Sequence, residues 1–439
     1  MSRGRRRRES AFTAFRRSRV VAIAGSILGT QVVTSALGFV YWTVAARTLS
    51  VPVVGHLGSA TAAAMLLGML GMVGCGTLLI SHLPELGPHR QRVMLVTAIG
   101  ASAGVTAVLS VLFGLVAWRS LPAFAFLDPA GGTFWLLVAV AVLTALGNLF
   151  DQAMLVLGRP SAQVTRNAVA SASKIVLLGA AVLAGRSGVD AALGAWLAGQ
   201  LVACLLAVRA AVRLTPTAGR VTGGQMRAAV ARFGGSAGRH HGMNIALAAP
   251  AALQPVIISA FVTADENAVY TTVRLVATVA FMAPYALAMA LFAVSANDRQ
   301  GAEQRARSVF RLSLAVSLLL SLVLLAGAPL ILRVFGADYA HGGMADLRLL
   351  GLACPLLVVK DQYIARVQAD RVLAEATPFV VVTTVLEIAG TVAGAATGGL
   401  TGSLVGWLLA LAAGALWLAS RHLSTPGSKV RRSTAGAPV

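Results

Sequence analysis

The chain has 439 residues, 57% of them hydrophobic and 12% charged. Soluble globular proteins carry about 25% charged residues, so the composition excludes a soluble protein and describes an all-α polytopic membrane protein. A net charge of +21 would suit nucleic acid. The basic residues gather in alternate short loops, however, as the positive-inside rule expects of a membrane protein, and no nucleic-acid partner is expected.

In chain order, residues 1–19 form a basic tail, MSRGRRRRESAFTAFRRSR. The apolar run that follows, 20–46, is too long for the core of a cleaved signal and reads as the first membrane helix. Runs of about 20 apolar residues recur over 53–81, 93–118, 133–157, 162–184, 190–212, 232–262, 268–296, 308–335, 346–367, 377–397 and 400–420. That makes about twelve transmembrane helices, with polar gaps too short for a separate soluble domain. The loop RLTPTAGRVTGGQMRAAVAR divides an N-lobe (20–212) from a C-lobe (232–420), with a linker at 213–231 and a C-terminal tail at 421–439. Six helices per lobe insert both in the same orientation. Two parallel six-helix lobes with a cavity between them are therefore expected.

If the first tail is inside, the inside segments hold most of the loop arginines, Arg166 among them, and the outside segments hold only Arg47, Arg119, Arg186 and Arg333. Both termini and the linker are thus expected in the cytoplasm. Cys75, Cys204 and Cys354 sit singly in apolar runs, without disulfide or metal-ligand spacing.

The residues at membrane depth carry the functional expectation. Arg274 interrupts the eighth run, where a guanidinium costs roughly 2.5–3.5 kcal/mol on insertion scales. Asn267, Thr271, Arg274, Thr278 and Tyr285 share one face of that helix, and Pro284 is expected to bend it. The first helix has a similar stripe, Ser26, Thr30, Thr34 and Tyr41, with Gln31 and Ser35 beside it. Polar stripes face protein or water rather than lipid, so these two are expected to line the cavity, together with Arg239 in the seventh helix beside His240 and His241. The competing reading has Arg274 snorkelling to the surface or pairing with a structural carboxylate.

Asp151 and Lys174 lie on helices joined across Arg159–Pro160. They are expected to neutralise each other, unless Asp151 binds a coupling ion. Lys360 and Asp361 are expected to pair with neighbouring helices, and Glu387, flanked by Thr384 and Thr391, is a second ion-coupling candidate. The surplus of Lys174, Arg239, Arg274 and Lys360 over Asp151, Asp361 and Glu387 suits an anionic cargo such as a phosphate-bearing lipid. There is no Walker A loop, dinucleotide motif, Ser-His-Asp set or H-E-x-x-H. Neither enzymatic activity nor a cofactor or metal is expected.

Four stretches carry a family resemblance: ARTLSVPVVGHLG (46–58), GCGTLLISHLPEL (74–86), AVYTTVRLVATVAFMAPYALAMALF (268–292), and APLILRVFGADYA with LRLLGLACPLL (328–340, 347–357). They resemble polysaccharide transporters of the multidrug/oligosaccharidyl-lipid/polysaccharide (MOP, MATE-like) exporter superfamily, nearly throughout the chain. The resemblance implies alternating access in the cytoplasmic membrane and flipping of a polyprenyl-diphosphate-linked oligosaccharide, a precursor of a cell-surface polysaccharide such as lipopolysaccharide. An ion gradient or the membrane potential would drive it, and a polysaccharide polymerase and glycosyltransferases would be its partners. Arg47, Gly55, Arg274 and Pro284 fall on family positions. Arg274 matches a cavity arginine that the resemblance assigns to the diphosphate, and the other three are assigned to structure.

Two departures stand against related functions. The first helix lacks the acidic residue of many multidrug members, and about twelve helices are two fewer than lipid II flippases usually have. A cation-coupled drug exporter, a lipid II-type flippase and a non-transporting scaffold for membrane glycosyltransferases are the alternatives.

Overall fold

The computed structural model describes residues 33–158, 160–214, 221–295, 302–370 and 373–424. Helix α1 covers 33–48, and its expected start lies outside the described residues. The expected second helix is two helices, α2 (Val51–Gly71) and α3 (Cys75–His82). Between them Val73 (φ 47°) and Gly74 (φ 75°) take left-handed backbone, a conformation that glycine adopts without steric cost and valine does not. A 3₁₀ turn, Leu83–Glu85, leads to α4 (Pro88–Ser120). Then follow α5 (Gly132–Val156), α6 (Pro160–Leu183), α7 (Val189–Leu214), α8 (Gly223–Phe261), α9 (Ala264–Ser295), α10 (Ala302–Arg333), α11 (Ala337–Asp370) and α12 (Leu373–Ser424).

One boundary differs from expectation for an identifiable reason. Much of the 213–231 linker is helical, because Thr222 and Gln225 form a reciprocal cap that starts α8 early: Gln225 N–H donates to Thr222 Oγ1 and Thr222 N–H to Gln225 Oε1. Helix α9 continues through Pro284, which is buried, to Ser295. The boundary expected at 397–400 is present. Gly398 (φ −145°, ψ 22°) and Gly399 (φ 56°, ψ −136°) break α12, and its two arms return alongside each other. They touch at glycines: a Cβ on Gly394 would stand 2.0 Å from the Gly402 carbonyl oxygen, and one on Gly406 the same distance from that of Gly390. Small residues allow this backbone approach within a membrane.

Nine described helices are long and apolar enough to cross a membrane. Of these, α12 doubles back; among the rest, α1 begins outside the described residues, and α8 contributes a shorter apolar segment, Ala251–Phe261, among its described residues. The order of segments is that of the sequence reading, in an all-α polytopic membrane protein.

The outer helices have the polarity lipid requires. On α4, Ser102, Thr106, Ser110 and Gly114 are buried at four-residue intervals, while Val108, Leu112 and Val116 are exposed. On α10, Ser313, Ser317 and Ser321 are buried and Leu318, Leu319 and Leu322 exposed. Small polar residues fill the contacts and large apolar ones face outward, since lipid tails offer no hydrophobic drive to bury leucine.

Helices α2–α7 pack among themselves, as do α8–α12, and the two groups meet where α2 lies on α8 and α9, with α3 and α4 also against α8. Helix α2 is central: 72% of its apolar window is buried, against 22% for α4, α6 and α10. Its GSATAAA run and Gly55 make that possible, since a Cβ on Gly55 would lie 1.7 Å from the Ala264 carbonyl oxygen. Gly55→Ala is therefore expected to destabilise the protein by about 1–3 kcal/mol through overpacking, read as a lower melting temperature in detergent. Gly38→Ala, with open space around the added methyl, is the control and should melt like wild type.

Candidate functional site

The seam between the two helix groups is polar and pinned at the end of the bundle carrying the α1–α2, α8–α9 and α10–α11 connections. Asn267, buried near the start of α9, donates Nδ2 to the Gly55 carbonyl (2.7 Å) and to Ser59 Oγ (2.8 Å), and the Ser259 hydroxyl of α8 donates to its Oδ1 (3.0 Å). Arg47 donates Nε to the Val334 carbonyl (2.9 Å) and Nη2 to the Arg333 carbonyl (2.8 Å), tying α1 to the end of α10. Phe39 and Phe335 meet edge to face beside it, centroids 5.1 Å apart. Further along, Ser35 Oγ lies 3.1 Å from Met282 Sδ.

These contacts redistribute the expected cavity stripes. Thr271 faces α2: its Oγ1 lies 2.3 Å from where a Cβ on Gly58 would be. Thr271 therefore fills the helix crossing and is corrected from a cavity wall to a packing residue. Tyr41 is likewise turned into the first helix group. Its ring is 2% exposed and packs edge to face on Trp42 and Trp196. Thr34 is half-buried on α1. Thr30 lies outside the described residues, as do the side chains of Arg239, His240 and His241.

Arg274, Thr278 and Tyr285 stay together on the remaining face of α9. Thr278 is exposed and donates Oγ1 to the Arg274 carbonyl (2.8 Å), and Tyr285 is 52% exposed. Arg274 is half-buried, and its guanidinium has neither a carboxylate nor a hydrogen-bond partner among the described residues. It stands roughly 15 Å along the helix from Ala264, at 1.5 Å per residue.

Two buried carboxylates, Asp151 and Glu387, form closed pairs. Arg166 donates Nε to Asp151 Oδ1 and Nη2 to Oδ2, both at 2.7 Å, and Asn167 Nδ2 adds a bond to Oδ2 (3.0 Å). The pair is buried, with side chains 6% and 13% exposed. Gly147 makes room for it, since a Cβ there would meet Arg166 Nη1 at 2.7 Å. Two sequence expectations are corrected here. Arg166 is a bundle residue and not a loop charge, and Asp151 is neutralised by Arg166 and not by Lys174. Antiparallel helices turning just after Gly158 set residue 151 opposite 166, whereas Lys174 lies about two turns, roughly 12 Å, further on.

Lys360 Nζ meets Glu387 Oε1 at 2.5 Å, and Trp407 Nε1 donates to Oε2 (3.2 Å). Glu387 is 3% exposed and borders a crevice with Gln254, Ile257, Ile388 and Thr391. Both carboxylates proposed from sequence for ion coupling thus carry resident cations in this structure. Lys174 differs: its ammonium lies 3.8 Å from the centroid of the Trp196 ring, with no carboxylate within ion-pair distance among the described residues. It stands roughly 14 Å from the Leu183 end of α6, a depth matching that of Arg274 in the other helix group. Arg166, Trp196 and Trp407 were not singled out as partners because contacts between helices have no sequence spacing. The Gly147 gap was the one signal for Arg166, and it is unreadable without knowing what faces it.

No protein-family model matches the sequence, and no curated protein matches it. Solved structures do match. The lipid II flippase MurJ, in an inward closed conformation, superposes with a TM-score of 0.72 at 11% identity, over 90% of this chain and 87% of that one. The fold is MATE-like. A MATE family transporter of the MOP superfamily in its inward-facing conformation gives a TM-score of 0.62 at 15% identity, over 90% of this chain and 98% of that one. An outward-facing MATE conformation gives 0.55 at 16% identity, over 93% and 96%.

Proposed function

We propose that this chain is a secondary-active flippase that carries a polyprenyl-diphosphate-linked oligosaccharide across the cytoplasmic membrane by alternating access between two parallel lobes. The observation that carries the reading is Arg274: a guanidinium at membrane depth, beside a threonine and an exposed tyrosine, with no partner among the described residues. An unneutralised arginine in such a place calls for an anion, and a planar fork suits a diphosphate, whose oxygens it can take two at a time. The likeness to a lipid II flippase adds support from a fold that handles lipid-linked cargo. The lipid tail would stay in the bilayer while the charged head crosses between the lobes, and the ion gradient or membrane potential would supply the drive.

In this reading the α1–α2 end faces outward. The Arg47 and Asn267 bonds close that side, and opening to it requires breaking them. Labelling tests the orientation: a cysteine introduced at Ser428 should be inaccessible to an impermeant reagent on intact cells, and one at Gly131 accessible. The reverse pattern overturns it. Function is tested by reconstituting the protein in liposomes with polyprenyl-diphosphate oligosaccharide and following its transfer between leaflets. A scaffold would give no transfer, and a drug exporter would instead move cationic dyes.

A further inference from the structure

We propose that Lys174 is a built-in plug, its own ammonium filling an aromatic cation site in the first helix group and barring free alkylammonium ions from it. The ring that carries the ammonium does not stand alone. Trp196 is packed edge to face by Tyr41, centroids 5.1 Å apart at 82°, and Trp42 lies 6.3 Å away. The Tyr41 hydroxyl is buried and has no hydrogen-bond partner among the described residues. Rings from α1 thus back the one ring, Trp196 of α7, that carries the ammonium, which has a π face for a partner and no carboxylate among the described residues. That is the chemistry of a cation–π site, which attracts cations through the ring quadrupole and does so more strongly when water is excluded.

The stem is accommodated as specifically as the head. A Cβ on Gly199 of α7 would lie 2.6 Å from Lys174 Cγ, so the missing side chain leaves the gap through which the lysine passes. Lys174 is half-buried, so the site is open enough for a small ion to reach if the plug were absent. With no carboxylate among the described residues to replace a metal ion's water, the ring favours a weakly hydrated alkylammonium over sodium. A tethered ammonium holds the site at an effective concentration that a free ligand does not match. The consequence for transport, selection against cationic cargo, rests on the proposed function, but the occupancy of the aromatic site does not.

The test is equilibrium binding of tetramethylammonium to the full chain in detergent micelles, by titration calorimetry, with sodium as control. Wild type should show no saturable binding. Lys174→Ala should bind tetramethylammonium at least about tenfold more tightly than any residual wild-type signal, the scale of a desolvated cation–π contact. Lys174→Met, which refills the space without charge, should not bind, and adding Trp196→Ala to Lys174→Ala should abolish the gain. If Lys174→Ala does not purify as a single species, Lys174→Ser provides the same vacancy. Failure of the vacated variant to bind, or equal binding by wild type, overturns the proposal. The assay contains no saccharide, so a negative flipping result leaves it standing, and a negative binding result leaves the cargo assignment standing.

Discussion

Replacing Arg274 with alanine is expected to stop cargo movement while leaving the amount of inserted protein at the wild-type level. Arg274 has no partner among the described residues, so its removal breaks no pair and relieves a cost of roughly 2.5–3.5 kcal/mol on insertion scales. On the proposed function, what is lost is the charge-assisted bonding to the diphosphate, about 1.5–3 kcal/mol per bond, equivalent to roughly 10- to 150-fold in affinity. Arg274→Lys keeps the charge but not the two-oxygen geometry and should be partly active. A structural role makes the opposite forecast: abundance would fall with alanine and recover with lysine. Immunoblotting of the membrane fraction beside the liposome flipping assay separates the two. Wild-type flipping by a well-inserted Arg274→Ala protein would sink the assignment.

Asp151→Asn is expected to act on stability. The Asp151–Arg166 pair is bidentate, buried and supported by Asn167. Removing one partner of a buried pair leaves a charge uncompensated and costs about 3–5 kcal/mol. Arg166→Met should be similarly harmful, whereas Asp151→Leu combined with Arg166→Leu should lose much less than the sum of the single changes, because neither charge is left behind. Melting of the purified protein, followed by size-exclusion chromatography, measures all of these. If Asp151 instead exchanges a coupling ion, Asp151→Asn would melt like wild type and alter only the ion dependence of transport. Lys360→Met provides the parallel case in the second helix group, where it strands Glu387.

The resident pairs also explain why a search for coupling carboxylates by sequence leads to Asp151 and Glu387. A buried acid on a polar helix face looks the same whether its partner is a free ion or an arginine from the next helix. Only the level at which two helices meet distinguishes these cases. That level depends on the hairpin turn and on gaps such as Gly147, which become meaningful once a partner occupies them.

The sequence by itself determined the membrane class, the order of the spans and the break at Gly398–Gly399. These follow from run length, local hydropathy and glycine backbone freedom, properties carried within a single segment. It also singled out Arg274, because a charge inside an apolar run is conspicuous without any partner. Only the tertiary structure decided that Thr271 packs against Gly58, that Tyr41 turns inward to Trp196, that Asp151 takes Arg166, and that Lys174 rests on an aromatic face. In a bundle where lipid removes the hydrophobic drive, helix rotation and register are set by where small residues let backbones approach. Those approaches join residues more than 200 positions apart, 212 in the case of Asn267 and Gly55, and no periodicity in the chain records them.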